Sequence, residues 1–521
     1  MGRTRSAQPA ILMLIGMMLP ATGVAQATIG GAWRADVDAF AERLVEAGLS
    51  PGIGLAVTGG DWVLHARGFG TADLRTGRPA TGDTPFYIAS SSKSLTALAA
   101  VLAAHRGELE LDAPMMRYLP DARLPDGVVP ESITVRDLLT LTHGLSGNGP
   151  VVLRTAFTGQ FTRPQLLDLL RYHTPTGGQG TYSYNNLGYN LLGMVLEARY
   201  DAGWQEIVRR EVLEPLGMAA TTAYVSRLPA DGAAMPHAEA PDGFVRVELG
   251  KADANMHAAG GHFASARDLA RYLAAHLSGG TVEGRAVLPS APIRDTHGLH
   301  VSQDREFGPF HRHGWGFGWD LGTYDGDTII HRFGGFSGYR SHMSFMPAHG
   351  LGVVVLVNGT GAASPAADLL ATYAYDRLLG KPGLEERYAE RLAELRQAAA
   401  SSRQGLAEHL AERRARLAPL PHPLEAYAGS YENERLGRIE WRVVAGGLEA
   451  RIGVAHSRAE VLDAASNQLR IDIGGGVVAS FTFPPAGGAA ESVSIAGEEF
   501  VRVGGPPSTA SLRDQILDQL P

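Results

Sequence analysis

The sequence predicts an α/β domain whose sheet is closed by both ends of one long segment, followed by a small all-β domain. Three observations carry that expectation. Strand-like runs stand at both ends of residues 50–360, with helical runs between them. The character changes near residue 380, where a charged helical stretch is closed by prolines. After it come short alternating runs separated by Gly and Pro, the pattern of a small barrel or sandwich. At 521 residues the chain has room for about two to four domains of ordinary size.

In chain order, the first 27 residues read as a signal peptide. Arg3 and Arg5 give a positive start, "AILMLIGMML" is too short to span a bilayer comfortably, and "AQA" at 25–27 is a small-x-small cleavage site. The mature chain is therefore expected to be periplasmic or secreted, with no transmembrane segment after signal removal. Next, "RADVDAFAERLVEAG" has helical period, and "SPGIGLAVTGGDWVLHARGFGTAD" reads as two strands joined by a Gly-Gly-Asp turn. "SLTALAAVLAAHRG" is a helix stopped by Gly107. "LDLLRYHTP", "YNLLGMVLEARYDAG" and "SARDLARYLAAHLSGG" are further helices, the last with Ser265 as N-cap and Gly279 as stop. "SHMSFMPAHGLGVVVLVNGT" returns to two strands. The expected boundaries are 28–378 for the α/β domain, 379–422 for the helical linker, 423–505 for the β-domain and 506–521 for a tail with a short helix.

Composition excludes several classes. Net charge is −8 with no basic block, which argues against a nucleic-acid partner. There is no Cys, so disulfides, thiolate-bound zinc, a Cys nucleophile and lipid attachment at a cysteine are all excluded. No Gly-x-Ser-x-Gly elbow is present, which leaves the α/β-hydrolase class without support. Of 46 basic residues only Lys93, Lys251 and Lys381 are lysine. Each survives against a strong bias toward arginine.

Lys93 stands three residues after Ser90 at the start of a helix, and residues three apart share a helix face. Serine is a poor nucleophile without a base beside it. A lysine of lowered pKa can be that base, whereas arginine does not deprotonate in proteins. Free backbone N–H groups at the helix start would favour developing negative charge near Ser90. "TYSYNNLGYNLLG" adds Tyr184 and Asn186, a proton-relaying phenol and an amide able to bond both a lysine and a substrate. "IIHRFGGFSGYRSHMSF" adds a strand with a Gly-Gly break, where a ligand can approach the backbone.

These segments, in this order, resemble the serine β-lactamase and penicillin-recognising enzyme family, in its class C-like branch of D,D-peptidases, D-aminopeptidases and esterases. The resemblance spans roughly residues 35–375 and includes "ITVRDLLTLTHGLSG", "AAGGHFASARDLARYL" and "GWGFGWDLG". The portion from "LEAYAGSYEN" to "EEFVRVG" looks like the lipocalin-like β-domain appended in that branch. The resemblance implies an α+β sandwich with an antiparallel sheet flanked by helices, plus a C-terminal barrel. It implies Ser90 as acylated nucleophile, Lys93 as general base or relay and Tyr184 as proton donor to the leaving group. Asn186 would orient Lys93 and the substrate amide. The backbone N–H groups of Ser90 and Gly335 would form the oxyanion hole. No cofactor or metal is implied.

One motif departs from the family pattern. Where Lys or His is usual before the glycine, this chain has Arg332, with His331 preceding it and Gly334 as the glycine. Arginine suits a substrate carboxylate but cannot pass a proton. A one-residue slip would instead turn His331 to the site. His143 stands where the family usually has Ser and receives no role. A rival reading comes from His297, His300, His311 and His313, whose spacing would suit a metal in what looks like a surface insertion. The favoured expectation is an exported peptidase or amidase acting on D-amino-acid-type peptides through an acyl-enzyme. A β-lactamase or esterase of the same family is the alternative, with a slow-acylating penicillin-binding sensor behind it. The partner is a small molecule or short peptide.

Overall fold

The computed structural model describes residues 31–505 apart from 148, 177, 230–231, 416–418 and 474–475. The expected signal peptide and the tail helix lie outside the described residues. The front strands Gly52–Gly59 and Trp62–Asp73 pair antiparallel across a turn in which Gly60 takes φ +57°. Their partner on the other side is Leu351–Val357, which runs antiparallel to the first strand with Ile53 opposite Val357 and Gly59 opposite Leu351. Chain segments 300 residues apart thus close one sheet.

That sheet has nine strands. From one edge they are Val301–Phe307, Phe310–Trp315, Asp320–Tyr324, Asp327–Phe336, Tyr339–Met346, Leu351–Val357, Gly52–Gly59, Trp62–Asp73 and Arg78–Pro79. The pairings are antiparallel throughout. Central strands buried on both faces should be continuously apolar rather than alternating. "LGVVVLV" at 351–357, buried at every position, fits that rule.

Helices cover both faces. Ala32–Glu46 and Ala363–Leu378 pack on one side, where Phe40 stacks on Tyr373 with ring centroids 4.3 Å apart. Trp33, Val37, Phe40, Ala41 and Leu44 share one face of the first helix by their three-to-four-residue spacing. Ala266–Ser278 covers the other face, with Ser265 accepting from the Asp268 N–H at its start and Gly279 at φ +73° as its stop. Next to it lies a helical layer that includes Ser92–His105 and Leu187–Tyr200. Residues 92–103 are all buried, so this helix is apolar nearly all round and runs through the interior.

The histidine-rich segment is not a surface insertion. It supplies the two outer strands Val301–Phe307 and Phe310–Trp315 of the main sheet. Beyond residue 380, Leu384–Ala415 is a single helix whose first turns bury Leu384 and Tyr388 against the sheet domain.

The second sheet runs from Gly429 to Gly504 in nine antiparallel strands. It is a nearly closed barrel. Its two edge strands, Ala455–Arg458 and Glu460–Asp463, are consecutive in sequence, and the Asp472 N–H donates to Ser457 Oγ at 2.8 Å near the gap. Tyr427, Tyr431, Trp441 and Phe481 fill its centre. The barrel seats on residues 154–160. Arg154 donates to the carbonyls of Arg435 and Glu434, both at 2.9 Å, and Val454 N–H donates to Thr158 O at 2.9 Å.

Candidate active site

Ser90 lies in a single 3₁₀ turn, Ala89–Ser91, that leads into the helix Ser92–His105. Ala89 takes φ +45°, a left-handed conformation uncommon for a residue with a Cβ, so strain sits directly before Ser90. The turn is stitched to the strand Asp327–Phe336 and its neighbour. Ser91 Oγ donates to Arg332 O at 3.2 Å and lies 2.8 Å from Ser341 Oγ, which donates to Ile88 O at 2.8 Å. Only Ser90 of the three serines shares the face of Lys93, and Lys93 Nζ lies 3.3 Å from its Oγ.

Lys93 is fully buried and also donates to Asn186 Oδ1 at 2.7 Å and Ala259 O at 2.9 Å. No carboxylate neutralises it among the described residues. Burial drives its pKa down, and the charge of Arg332 lowers it further. The Tyr184 phenol pulls the other way, and the result is about 8. Lys93 Nζ also lies 5.0 Å from the centroid of the Tyr184 ring. Asn186 caps no hydrogen bond at the start of Leu187–Tyr200, which leaves its amide free for the site.

The Tyr184 ring is 37% exposed at the site's mouth, with its hydroxyl accepting from Arg332 Nη2. Burial alone would raise the phenol's pKa. The positive charges of Arg332 and Lys93, together with hydrogen bonding to Ser90 and Lys93, outweigh it and bring the pKa to about 8. A lysine and a tyrosine that would ordinarily differ little in pKa are thus both poised near neutrality, as one coupled pair.

Arg332 is 4% exposed and faces this pair. Its Nε donates to Ser90 O at 3.1 Å and its Nη1 to Asp320 Oδ2 at 2.9 Å, while Nη2 is taken by Tyr184. Every arm of the guanidinium is committed within the protein. One N–H on each of Nη1 and Nη2 is not used by these three bonds. His331 lies on the other face of the strand, between Phe310 at 5.1 Å and Phe333 at 4.5 Å, with neither ring nitrogen hydrogen-bonded. A Cβ added at Gly334 would stand 2.0 Å from Ile88 O, so glycine is required where the strand meets the nucleophile turn. Gly335 is exposed, with open space beside it.

Two contributors escaped sequence reasoning. Asp320 is buried and gathers Arg332, Arg312 at 3.4 Å and Arg305 at 3.8 Å. An acidic residue inside the aromatic run "GWGFGWDLG" was the available signal. The Ala259 carbonyl carries no side-chain signal at all. His143 is buried, accepts from Leu145 N–H at 3.2 Å through Nδ1 and lies 3.2 Å from Asn185 Oδ1, so it braces the loop that presents Tyr184. The four histidines of the rival reading scatter. His297 packs on His276, His300 stacks on Phe317 at 3.6 Å, and His311 pairs with Glu306 at 2.9 Å. Among the described residues no group of three or more His, Cys, Asp or Glu is placed to hold a metal ion.

The beta-lactamase family profile matches residues 37–389, well over half of the chain. The chain belongs to the beta-lactamase family. It is a serine hydrolase, as the members it resembles are. It is 27% identical over 325 residues to penicillin-binding protein 4 of Amycolatopsis lactamdurans, covering 61% of this chain and 84% of that one. It is 34% identical over 191 residues to the esterase EstB of Burkholderia gladioli, spanning 34% of this chain and 48% of the esterase. Among solved structures, the octameric penicillin-binding protein homologue of Pyrococcus abyssi shares the fold at a TM-score of 0.57 and 22% identity, over 90% of this chain and all of that one. The D-amino acid amidase of Ochrobactrum anthropi SV3 shares it at a TM-score of 0.55 and 22% identity, over 66% of this chain and 98% of the amidase. The beta-lactamase fold accounts for the main sheet and helical layer, and the first of these two likenesses extends over the barrel region as well.

Proposed function

We propose that this beta-lactamase-family hydrolase is an exported peptidase or amidase that acts on D-amino-acid-type peptides through an acyl-enzyme at Ser90. The observation that carries the reading is the Lys93 amine, 3.3 Å from Ser90 Oγ, buried and brought to a pKa of about 8. Neutral Lys93, directly or through Tyr184, takes the proton of Ser90 Oγ as the oxygen attacks the scissile carbonyl. The new C–O bond forms while the carbonyl π pair moves onto oxygen, where the N–H groups of Ser90 and Gly335 receive it. Tyr184 delivers the proton to the leaving nitrogen as the C–N bond breaks. Water then attacks the ester, giving its proton back through the same pair, and Ser90 is released. Asn186 holds Lys93 by its Oδ1 and has an N–H side free for a substrate amide.

The D-peptide preference draws support from the D-amino acid amidase among the solved structures that share the fold. Export rests on the composition of residues 1–27, and cell fractionation with N-terminal sequencing tests it. The esterase relative supports ester hydrolysis as the second reading. The deciding experiment is a panel on purified enzyme and Ser90→Ala: D- and L-aminoacyl p-nitroanilides, p-nitrophenyl esters and nitrocefin. The proposal expects the D-aminoacyl amides to give the largest kcat/KM and Ser90→Ala to abolish turnover. Faster hydrolysis of simple esters or nitrocefin would replace the peptidase reading with its alternatives.

A further inference from the structure

A neutral lysine amine has two N–H groups and one lone pair. For Lys93 to act as a base, the lone pair must face Ser90 Oγ. Three groups surround its Nζ: Ser90 Oγ at 3.3 Å, Asn186 Oδ1 at 2.7 Å and Ala259 O at 2.9 Å. The two carbonyl oxygens can only accept, so they take the two N–H groups and leave the lone pair toward Ser90. One of them, Ala259 O, is a backbone atom, and its place depends on what holds its turn.

That turn, residues 257–261, is tight: the N–H groups of Gly260 and Gly261 both donate to His257 O, at 2.9 and 2.6 Å. Two helices grip it. Thr96, three residues after Lys93 on Ser92–His105, donates from Oγ1 to Ala258 O at 2.8 Å. Asn190, on Leu187–Tyr200, accepts at Oδ1 from the Ala259 N–H at 3.3 Å and lies 3.0 Å from His257 Nδ1. Gly193 permits this close seat, since a Cβ there would stand 2.6 Å from Ala258 Cβ. Asn190 is 4% exposed, and the network fixes which way its amide points. Thr155 Oγ1 donates its proton to Val151 O at 2.8 Å, so it must accept from Asn190 Nδ2, also at 2.8 Å. Oδ1 therefore faces the turn. His257, which burial keeps neutral, then carries its proton on Nδ1 and donates it to the same oxygen.

We propose that Asn190 is a positioning residue for acylation: it holds the Ala259 carbonyl where that oxygen aims the Lys93 lone pair at Ser90, while His257 and Thr155 fix the Asn190 amide. The inference rests on the acyl-enzyme reading above and adds to it a support one step behind the base. The side-chain hydrogen bonds of Asn190 go to Thr155, His257 and Ala259, so it acts on Lys93 through Ala259. Without Oδ1, the Ala259 N–H and His257 Nδ1 lose their shared acceptor inside the protein, and the turn must shift to find another. A shift of about 1 Å in a catalytic group can cost about a hundredfold in rate. The role also accounts for three polar side chains, Thr155, Asn190 and His257, buried beside an otherwise apolar helical layer.

The test follows covalent labelling of the full-length enzyme by a fluorophosphonate, in which the Ser90 Oγ–P bond forms, fluoride leaves and the Ser90 proton passes to the Lys93–Tyr184 pair. Three quantities are read: the maximal labelling rate, the reagent concentration at half that rate, and the final label per chain by intact mass. Asn190→Leu should lower the maximal rate about tenfold or more, with the half-rate concentration within about twofold. The final label should stay near that of the wild type, because a purely structural loss would remove active chains rather than slow each one. His257→Ala should lower the rate in the same way, and His257→Asn, whose Nδ2 can donate in place of Nδ1, should restore it. Thr155→Val should give a smaller loss of about threefold, and with the His257 pair it decides the matter if Asn190→Leu does not fold. Unchanged rates in these variants, a loss confined to the final label or to the half-rate concentration, or no recovery in His257→Asn overturns the assignment. If the wild-type enzyme itself takes no label at Ser90, the acyl-enzyme reading fails instead.

Discussion

At the scale of residues, the account depends on a lysine that can lose its proton. Lys93→Arg keeps the charge and should still lower the acylation rate by roughly a hundredfold or more, nearly as far as Lys93→Ala, because arginine cannot serve as a base. Single-turnover kinetics with a p-nitrophenyl ester measures this, and retained activity in Lys93→Arg would remove Lys93 from the mechanism. Arg332 makes a second prediction. Its charge lowers the pKa values of both Lys93 and Tyr184, each brought to about 8. Removing that charge lets both rise. The wild-type kcat/KM should increase with pH through about 8 as the pair loses a proton, and Arg332→Ala should move that limb to higher pH. Acidic and neutral substrates should suffer alike, since the guanidinium serves Tyr184, Ser90 and Asp320. A loss confined to acidic substrates would return the carboxylate-reading role to Arg332. The Ser-x-x-Lys and Tyr-x-Asn pairs were legible because each is local in sequence. The occupation of Arg332 was not, because its partners lie 12, 148 and 242 residues away.

At the scale of elements, the contact between the nucleophile turn and the site strand is fixed by one glycine. Gly334→Ala would push a Cβ to 2.0 Å from Ile88 O. We expect about 1–3 kcal/mol of destabilisation, as for overpacking elsewhere, and slower acylation as the strand shifts from Ser90. Gly335→Ala meets open space and keeps its N–H, so thermal unfolding should change little. Differential scanning calorimetry of the two variants distinguishes them, and equal Tm values would contradict the close approach. The central sheet was readable from its runs, since "GIGLAVTG" and "LGVVVLV" are apolar enough to be buried strands. The outer strands Val301–Phe307 and Phe310–Trp315 were not. Val301–Phe307 is a polar, largely exposed edge strand, and Phe310–Trp315 places His311, Arg312 and His313 in a mostly buried run, so neither reads as an apolar strand.

At the scale of the whole molecule, the barrel and the site are joined through residues 154–160. Arg154 is 7% exposed and holds the barrel by two backbone carbonyls. Arg154→Ala leaves those carbonyls short of a donor, at a cost of about 1–3 kcal/mol. Hydrogen exchange at residues 433–438 should accelerate about tenfold or more as that edge opens, while unchanged exchange would show that Arg154 does not hold the barrel. The barrel was legible from its alternating strands, but its seat was not, because Gly453 and Thr158 meet only in three dimensions. The central claim, a covalent acyl-enzyme on Ser90, is tested most directly by the intact mass of the full-length protein quenched during turnover of a p-nitrophenyl ester. The account predicts an added mass equal to the acyl group, located by peptide mapping on Ser90 and absent from Ser90→Ala. Turnover by Ser90→Ala, or an adduct on any other residue, would contradict it.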